Sequence, residues 1–119
     1  MQYLILIYST ENQAPKPQTA EEREAMMKPW NEYTQAMVDA GVHVAGEALQ
    51  NTGTATTVRF DAGKGEPIFT DGPFAETKEQ LGGFYLIECQ DLDEAMVWGS
   101  KCPAVHFGSV EIRPVMAFD

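Results

Sequence analysis

The sequence predicts an α+β fold, an antiparallel sheet with two helices on one face, and three observations predict it. Two segments carry paired helix-start signals, Thr19 with Glu22 and Asp91 with Glu94, each in the spacing that satisfies orphan backbone donors at a first turn. Around them lie short runs rich in β-branched and aromatic residues, bounded by Gly, Pro and Asp. The two most apolar runs, YLILIY from Tyr3 and FYLIEC from Phe84, stand first and third among the strands that flank the helices.

The elements follow in order. Tyr3 to Tyr8 is apolar at both alternating positions, as suits a central strand covered on both faces. Ser9 to Gln18, rich in Pro, Asn and Gln, is a loop. Thr19 caps the first helix, Met26, Trp30, Tyr33 and Met37 form its buried stripe at helical spacing, and Gly41 ends it. Pro29 removes a backbone donor and crowds the carbonyl of Ala25, so a kink or a fresh helix start falls there. Val42 to Leu49 is the second strand, with Gly46 a bulge or a point of close approach. Thr54 to Phe60, the turn Asp61 to Gly65 and the return Pro67 to Thr70 make a hairpin. Gly82-Gly83 opens the strand Phe84 to Cys89. Asp91 then caps the second helix, whose Leu92, Ala95, Met96 and Gly99 face the core and which Cys102-Pro103 stops. Val110 to Arg113 is the last strand, closed by Pro114.

The order is β-α-β, hairpin, β-α-β, the ferredoxin-like split βαβ with an inserted β-hairpin, in a single domain over residues 1–119. In that topology the first and third core strands are the inner pair, and here they are the most apolar. Two helices cover only one face of such a sheet. The other face would be an exposed hydrophobic patch, which soluble monomers avoid. A homodimer packed through the open sheet face, a dimeric α+β barrel, removes it.

Composition narrows the function. Eight basic against eighteen acidic residues give a formal charge of −10, and the basic residues are scattered, so direct nucleic-acid binding is not expected. The longest apolar run, Leu4 to Tyr8, is far below the roughly 20 residues that cross a bilayer, and no basic n-region precedes it, so neither a membrane segment nor a signal peptide is read. Two cysteines, Cys89 and Cys102, suit a reducing cytoplasm as buried small hydrophobes. His43 and His106 stand apart with no convergent Cys or Asp, so no metal and no cofactor is expected.

The most specified stretch is DGPFAETKEQLGG, Asp71 to Gly83. A turn tripeptide leads to a lone aromatic, a cluster of charges and a diglycine. With Gly46-Glu47-Ala48-Leu49, the run from Phe84 to Glu88, Asp91 to Ala95 and Val110 to Val115, it resembles the DGPF branch of the YCII-related family over nearly the whole chain. The resemblance implies the dimeric ferredoxin-like barrel. It also implies a family in which some members carry a His-Asp pair, at least one type dehydrochlorinates a hydroxylated aromatic, and DGPF members accompany sigma-factor-type regulators. Aligned on Gly46, the histidine position falls at Pro29 or Trp30, and Cys102 precedes Pro103 where the family has aspartate. Neither Pro nor Trp can serve as a general base, so that mechanism does not transfer.

The remaining candidates are each read two ways. Asp71 could act as a base, with Lys78 and Glu79 holding an anionic ligand; the structural alternative, a turn cap plus a surface or inter-subunit ion pair, is preferred. Phe74 is a core or interface plug in preference to a ligand contact. Glu47 beside a strand glycine is a second candidate base or a solvated carboxylate. Tyr8, Trp30 and Tyr33 line an aromatic pocket or simply fill the core. His106 near the missing aspartate could exchange protons, against a plain loop or interface role. The favoured reading is a homodimer of uncharacterised activity that binds a small molecule or a protein partner. The alternatives are a cofactor-free acid-base enzyme acting on a small aromatic or anionic compound, and an accessory protein of a sigma-factor-type regulator.

Overall fold

The computed structural model of the chain describes residues 1–11 and 16–118; part of the loop expected over residues 9–18 lies outside them. β1 (Gln2–Ser9) is followed by α1 (Ala20–Asp39), β2 (His43–Ala48), the hairpin strands β3 (Thr56–Asp61) and β4 (Glu66–Asp71), β5 (Gln80–Glu88), α2 (Leu92–Ser100) and β6 (Ser109–Pro114). Short 3-10 turns fall at Thr52–Thr54 and Pro103–His106. Four strands form one sheet in the order β2-β5-β1-β6, every neighbouring pair antiparallel. β1 and β5 are the inner pair, as the apolar patterning requires. No helix among the described residues is long and apolar enough to cross a membrane.

Local chemistry accounts for the helix ends. Thr19 Oγ1 accepts from the Glu22 amide at 3.1 Å, and the Glu22 carboxylate accepts from the Gln18 amide at 2.7 Å. Asp91 and Glu94 repeat the arrangement with the Glu94 and Gln90 amides, at 2.9 and 2.8 Å. At the far end of α1 the amides of Gly41 and Val42 reach back to the carbonyls of Val38 and Met37, with Gly41 at φ 75°. This is the Schellman termination, and it needs a residue without a Cβ penalty. Pro29 lies inside one uninterrupted helix.

Burial corrects two side-chain readings. Met26 is 49% exposed, as every residue of α1 from 20 to 29 is exposed and burial of the helix begins only at Trp30. In α2, Leu92 and Met96 are 47% and 52% exposed, while Ala95 and Gly99 are buried. The helix approaches β6 through its smallest residues: a Cβ on Gly99 would lie 2.7 Å from Cδ1 of Ile112. Trp98, not Leu92 or Met96, packs beside the core. That core gathers Tyr3, Ile5 and Ile7 of β1 with Tyr33, Met37, Ile87, Cys102 and Ala104. Both cysteines are free and buried.

The sheet's other face carries Leu4, Leu6, Phe84 and Leu86, paired Leu4 with Leu86 and Leu6 with Phe84, and no helix among the described residues covers it. The hairpin is a separate ribbon. Its pairing puts Val58, Phe60, Pro67 and Phe69 on one side, where Phe60 and Phe69 are 67% and 69% exposed. The ribbon helps raise the radius of gyration to 17.0 Å, against about 13–14 Å for a compact chain of this length.

Candidate functional site

A cleft of about 420 Å³ opens between α1 and the sheet. Trp30 and Thr34, one turn apart on α1, form one wall; His43 of β2 and Tyr85 of β5 rise from the sheet; Phe107 borders the far end. The strands supply a floor without side chains at Gly46 and Gly83. A Cβ at Gly46 would sit 2.8 Å from the Tyr85 ring, and one at Gly83 would sit 2.8 Å from the Glu47 carbonyl oxygen. Gly83 therefore lets the backbones of β2 and β5 close up, and Gly46 lets the Tyr85 ring lie against β2. A larger depression of about 670 Å³ runs beside α1 between Glu21 and Glu32, but its walls come from that single helix, which makes it an open flank.

Tyr85 organises the cleft. Its hydroxyl lies 2.8 Å from Thr34 Oγ1, a hydrogen bond from sheet to helix. Its ring meets Tyr33 edge to face at 5.4 Å between centroids and His43 in the same manner at 6.1 Å. Tyr33 is buried, and its hydroxyl donates to the Trp98 carbonyl at 2.8 Å. Burial first, then the charges that Cys102 and Tyr85 would carry, hold the Tyr33 hydroxyl far above its ordinary titration range. The folded state thus prefers the neutral phenol. Its contribution is fully present below pH about 10 and falls as pH rises above that value, because only the unfolded chain releases the proton readily. A denaturant titration from pH 8 to 11.5 is expected to show stability declining above pH 10, and less steeply in Tyr33→Phe. An equal slope in the two proteins would reject this assignment.

The residues singled out from the sequence divide. Trp30 and Glu47 border the cleft. Glu47 pairs with Phe84, which puts it in register with the open face of the sheet, and it is exposed. Tyr33 stands behind the cleft, with its hydroxyl already engaged. Tyr8 lies apart and donates to Glu111 Oε1 at 3.4 Å. His106 is exposed on the turn after α2. Asp71 ends β4 at the base of the hairpin, exposed.

The Asp71–Gly83 run ties loops together. Gly72, at φ 97°, donates its amide to Ala55 and accepts from the Thr57 hydroxyl, both at 2.7 Å. The Phe74 carbonyl accepts from Arg59 at 3.1 Å, while the Phe74 ring is 76% exposed and plugs nothing in its own chain. Glu79 accepts from the Ser109 hydroxyl at 2.6 Å, and Lys78 makes no ion pair among the described residues. The diglycine stands inside β5, not ahead of it. Ile7 pairs with Gly83 and Tyr8 with Leu81, so Gly82 is an extra residue at a bulge.

Thr34, His43, Tyr85 and Phe107 were not among the site residues read from the sequence. The one signal for them was Thr34 four residues after Trp30 on the same helix face. Among the described residues no three His, Cys, Asp or Glu side chains gather around a common point suited to a metal ion.

The sequence pattern of the YCII-related domain matches residues 1–119. An uncharacterized protein of Rhizobium meliloti (strain 1021) is 39% identical over 120 residues, an alignment covering 99% of this chain and 94% of the relative.

Proposed function

The chain belongs to the YCII-related domain family, and we propose that it is a homodimeric small-molecule-binding protein whose ligand lies in the cleft between α1 and the sheet. One observation carries this reading: the cleft combines a glycine floor, aromatic walls and a few convergent polar groups in one concave space of about 420 Å³, the makeup of small-ligand sites in general. Asp71 and Lys78 do not line this cleft, so this reading gives them no part in holding the ligand. The Asp71–Gly83 run serves as architecture, joining the hairpin to β5 and β6. Support for the dimer comes from the uncovered leucine and phenylalanine face of the sheet and from the apolar side of the hairpin.

The test uses the neutral, environment-sensitive dye N-phenyl-1-naphthylamine. It is expected to bind one molecule per chain with enhanced emission. Trp30→Ala is expected to weaken binding about tenfold, from the lost ring contact, and Phe74→Ala to leave it unchanged. Equal affinity in wild type and Trp30→Ala would place the binding site elsewhere.

A further inference from the structure

We propose that the cleft selects an uncharged planar carbonyl compound, gripping its oxygen with the hydroxyl hydrogen that the Thr34–Tyr85 pair leaves over; this rests on the cleft being the binding site. Two hydroxyls carry two hydrogens, and their mutual bond of 2.8 Å uses one. If Thr34 donates, the Tyr85 hydrogen remains; if Tyr85 donates, the Thr34 hydrogen remains. No other hydrogen bond of either hydroxyl is present among the described residues. In each arrangement the pair offers one donor, and a ligand with an acceptor oxygen completes it.

The rest of the lining determines charge and shape. Among the described residues no lysine or arginine borders the cleft, and the chain as a whole carries a formal charge of −10. An anion placed there would lose its hydration without a fixed counter-charge, which is costly. Trp30 and Tyr85 present flat apolar surface, and His43, edge-on to Tyr85, stands beside the same ring. A flat body with one neutral acceptor satisfies all of these surfaces together, whereas a flat carboxylate meets the walls and the donor but brings a charge that no Lys or Arg of the lining offsets.

The test compares three naphthalenes of nearly one shape: 2-acetonaphthone, a ketone; 2-naphthoate, a carboxylate; and 2-ethylnaphthalene, which has no acceptor. In competition with the dye, the ketone is expected to bind about fivefold to tenfold more tightly than the hydrocarbon, the worth of one hydrogen bond, and more tightly still than the carboxylate. In the double variant Thr34→Val/Tyr85→Phe the ketone is expected to fall to the affinity of the hydrocarbon. Unchanged hydrocarbon binding in that variant would establish that the cleft is intact. Either single variant keeps a donor and is expected to keep part of the preference. Equal binding of all three compounds, tighter binding of the carboxylate, or a ketone preference that survives in the double variant overturns the proposal while leaving the cleft as the binding site. If none of the three displaces the dye, both the proposal and the cleft reading fail.

Discussion

Gly83→Ala is expected to lower the stability of the fold by about 2–3 kcal/mol, at the upper end of ordinary overpacking, and to weaken ligand binding with it. The added Cβ would lie 2.8 Å from the carbonyl oxygen of Glu47 and 3.4 Å from the Cα of Ala48. Both atoms belong to the backbone of β2, so no rotamer change relieves the contact. The strand itself must move. β2 is an edge strand that leans on β5 alone within the sheet, and pushing it outward also shifts Gly46 and His43, two sides of the cleft. Chemical denaturation together with dye titration checks the result. A variant as stable as wild type, with unaltered binding, would mean that the close approach of β2 to β5 is not needed. Gly99→Ala provides the contrast. Its Cβ would meet the end of the Ile112 side chain, a flexible group that can turn aside, and the expected cost is smaller.

Leu86→Asp is expected to convert the proposed dimer to a monomer of unchanged fold. Leu86 faces Leu4 across the inner strand pair and Ala45 on β2, at the middle of the uncovered face. A carboxylate there would be pressed against the opposing sheet with no partner charge, a loss of several kcal/mol. A dimer with a dissociation constant in the micromolar range is then expected to weaken to about the millimolar range. The core on the helix side does not include Leu86, so far-ultraviolet circular dichroism should be retained. Light scattering after gel filtration distinguishes the two states. A monomeric wild-type protein, or a dimeric variant, would overturn sheet-to-sheet assembly. Assembly through the hairpin would then be the surface to probe, since Phe60 and Phe69 leave its apolar side exposed.

Much of the fold was legible because its signals are local. The two capping pairs, Gly41 after α1 and the alternating hairpin each depend on residues within one turn or one tight loop. The inner position of β1 and β5 followed from apolar patterning on both faces of each strand. Side-chain burial was less legible. Met26, Leu92 and Met96 have the right helical spacing, yet they lie outside the core because the first half of α1 is exposed and α2 lies close to β6 at Gly99. Periodicity tells which residues share a helix face; it does not tell how far along the helix the neighbouring element reaches.

The site shows the same division more sharply. Trp30 was legible as an aromatic on the packed face of α1. Tyr85 and His43 were not, since each reads as an ordinary strand residue until β2 and β5 are placed side by side in register. The Asp71–Gly83 run was conspicuous because its chemistry is concentrated in sequence, and its hydrogen bonds reach the hairpin and its base at Ala55, Thr57 and Arg59, the chain after β1 at Thr10 and Glu11, and β6 at Ser109. By itself, then, the sequence determined the family, the order of elements and the inner strands, all of which follow from local pattern and short-range chemistry. Only the tertiary structure decided where the cleft lies and which hydroxyls meet in it. Thr34 and Tyr85 are 51 residues apart, and a contact of that separation exists only after the helix has docked on the sheet.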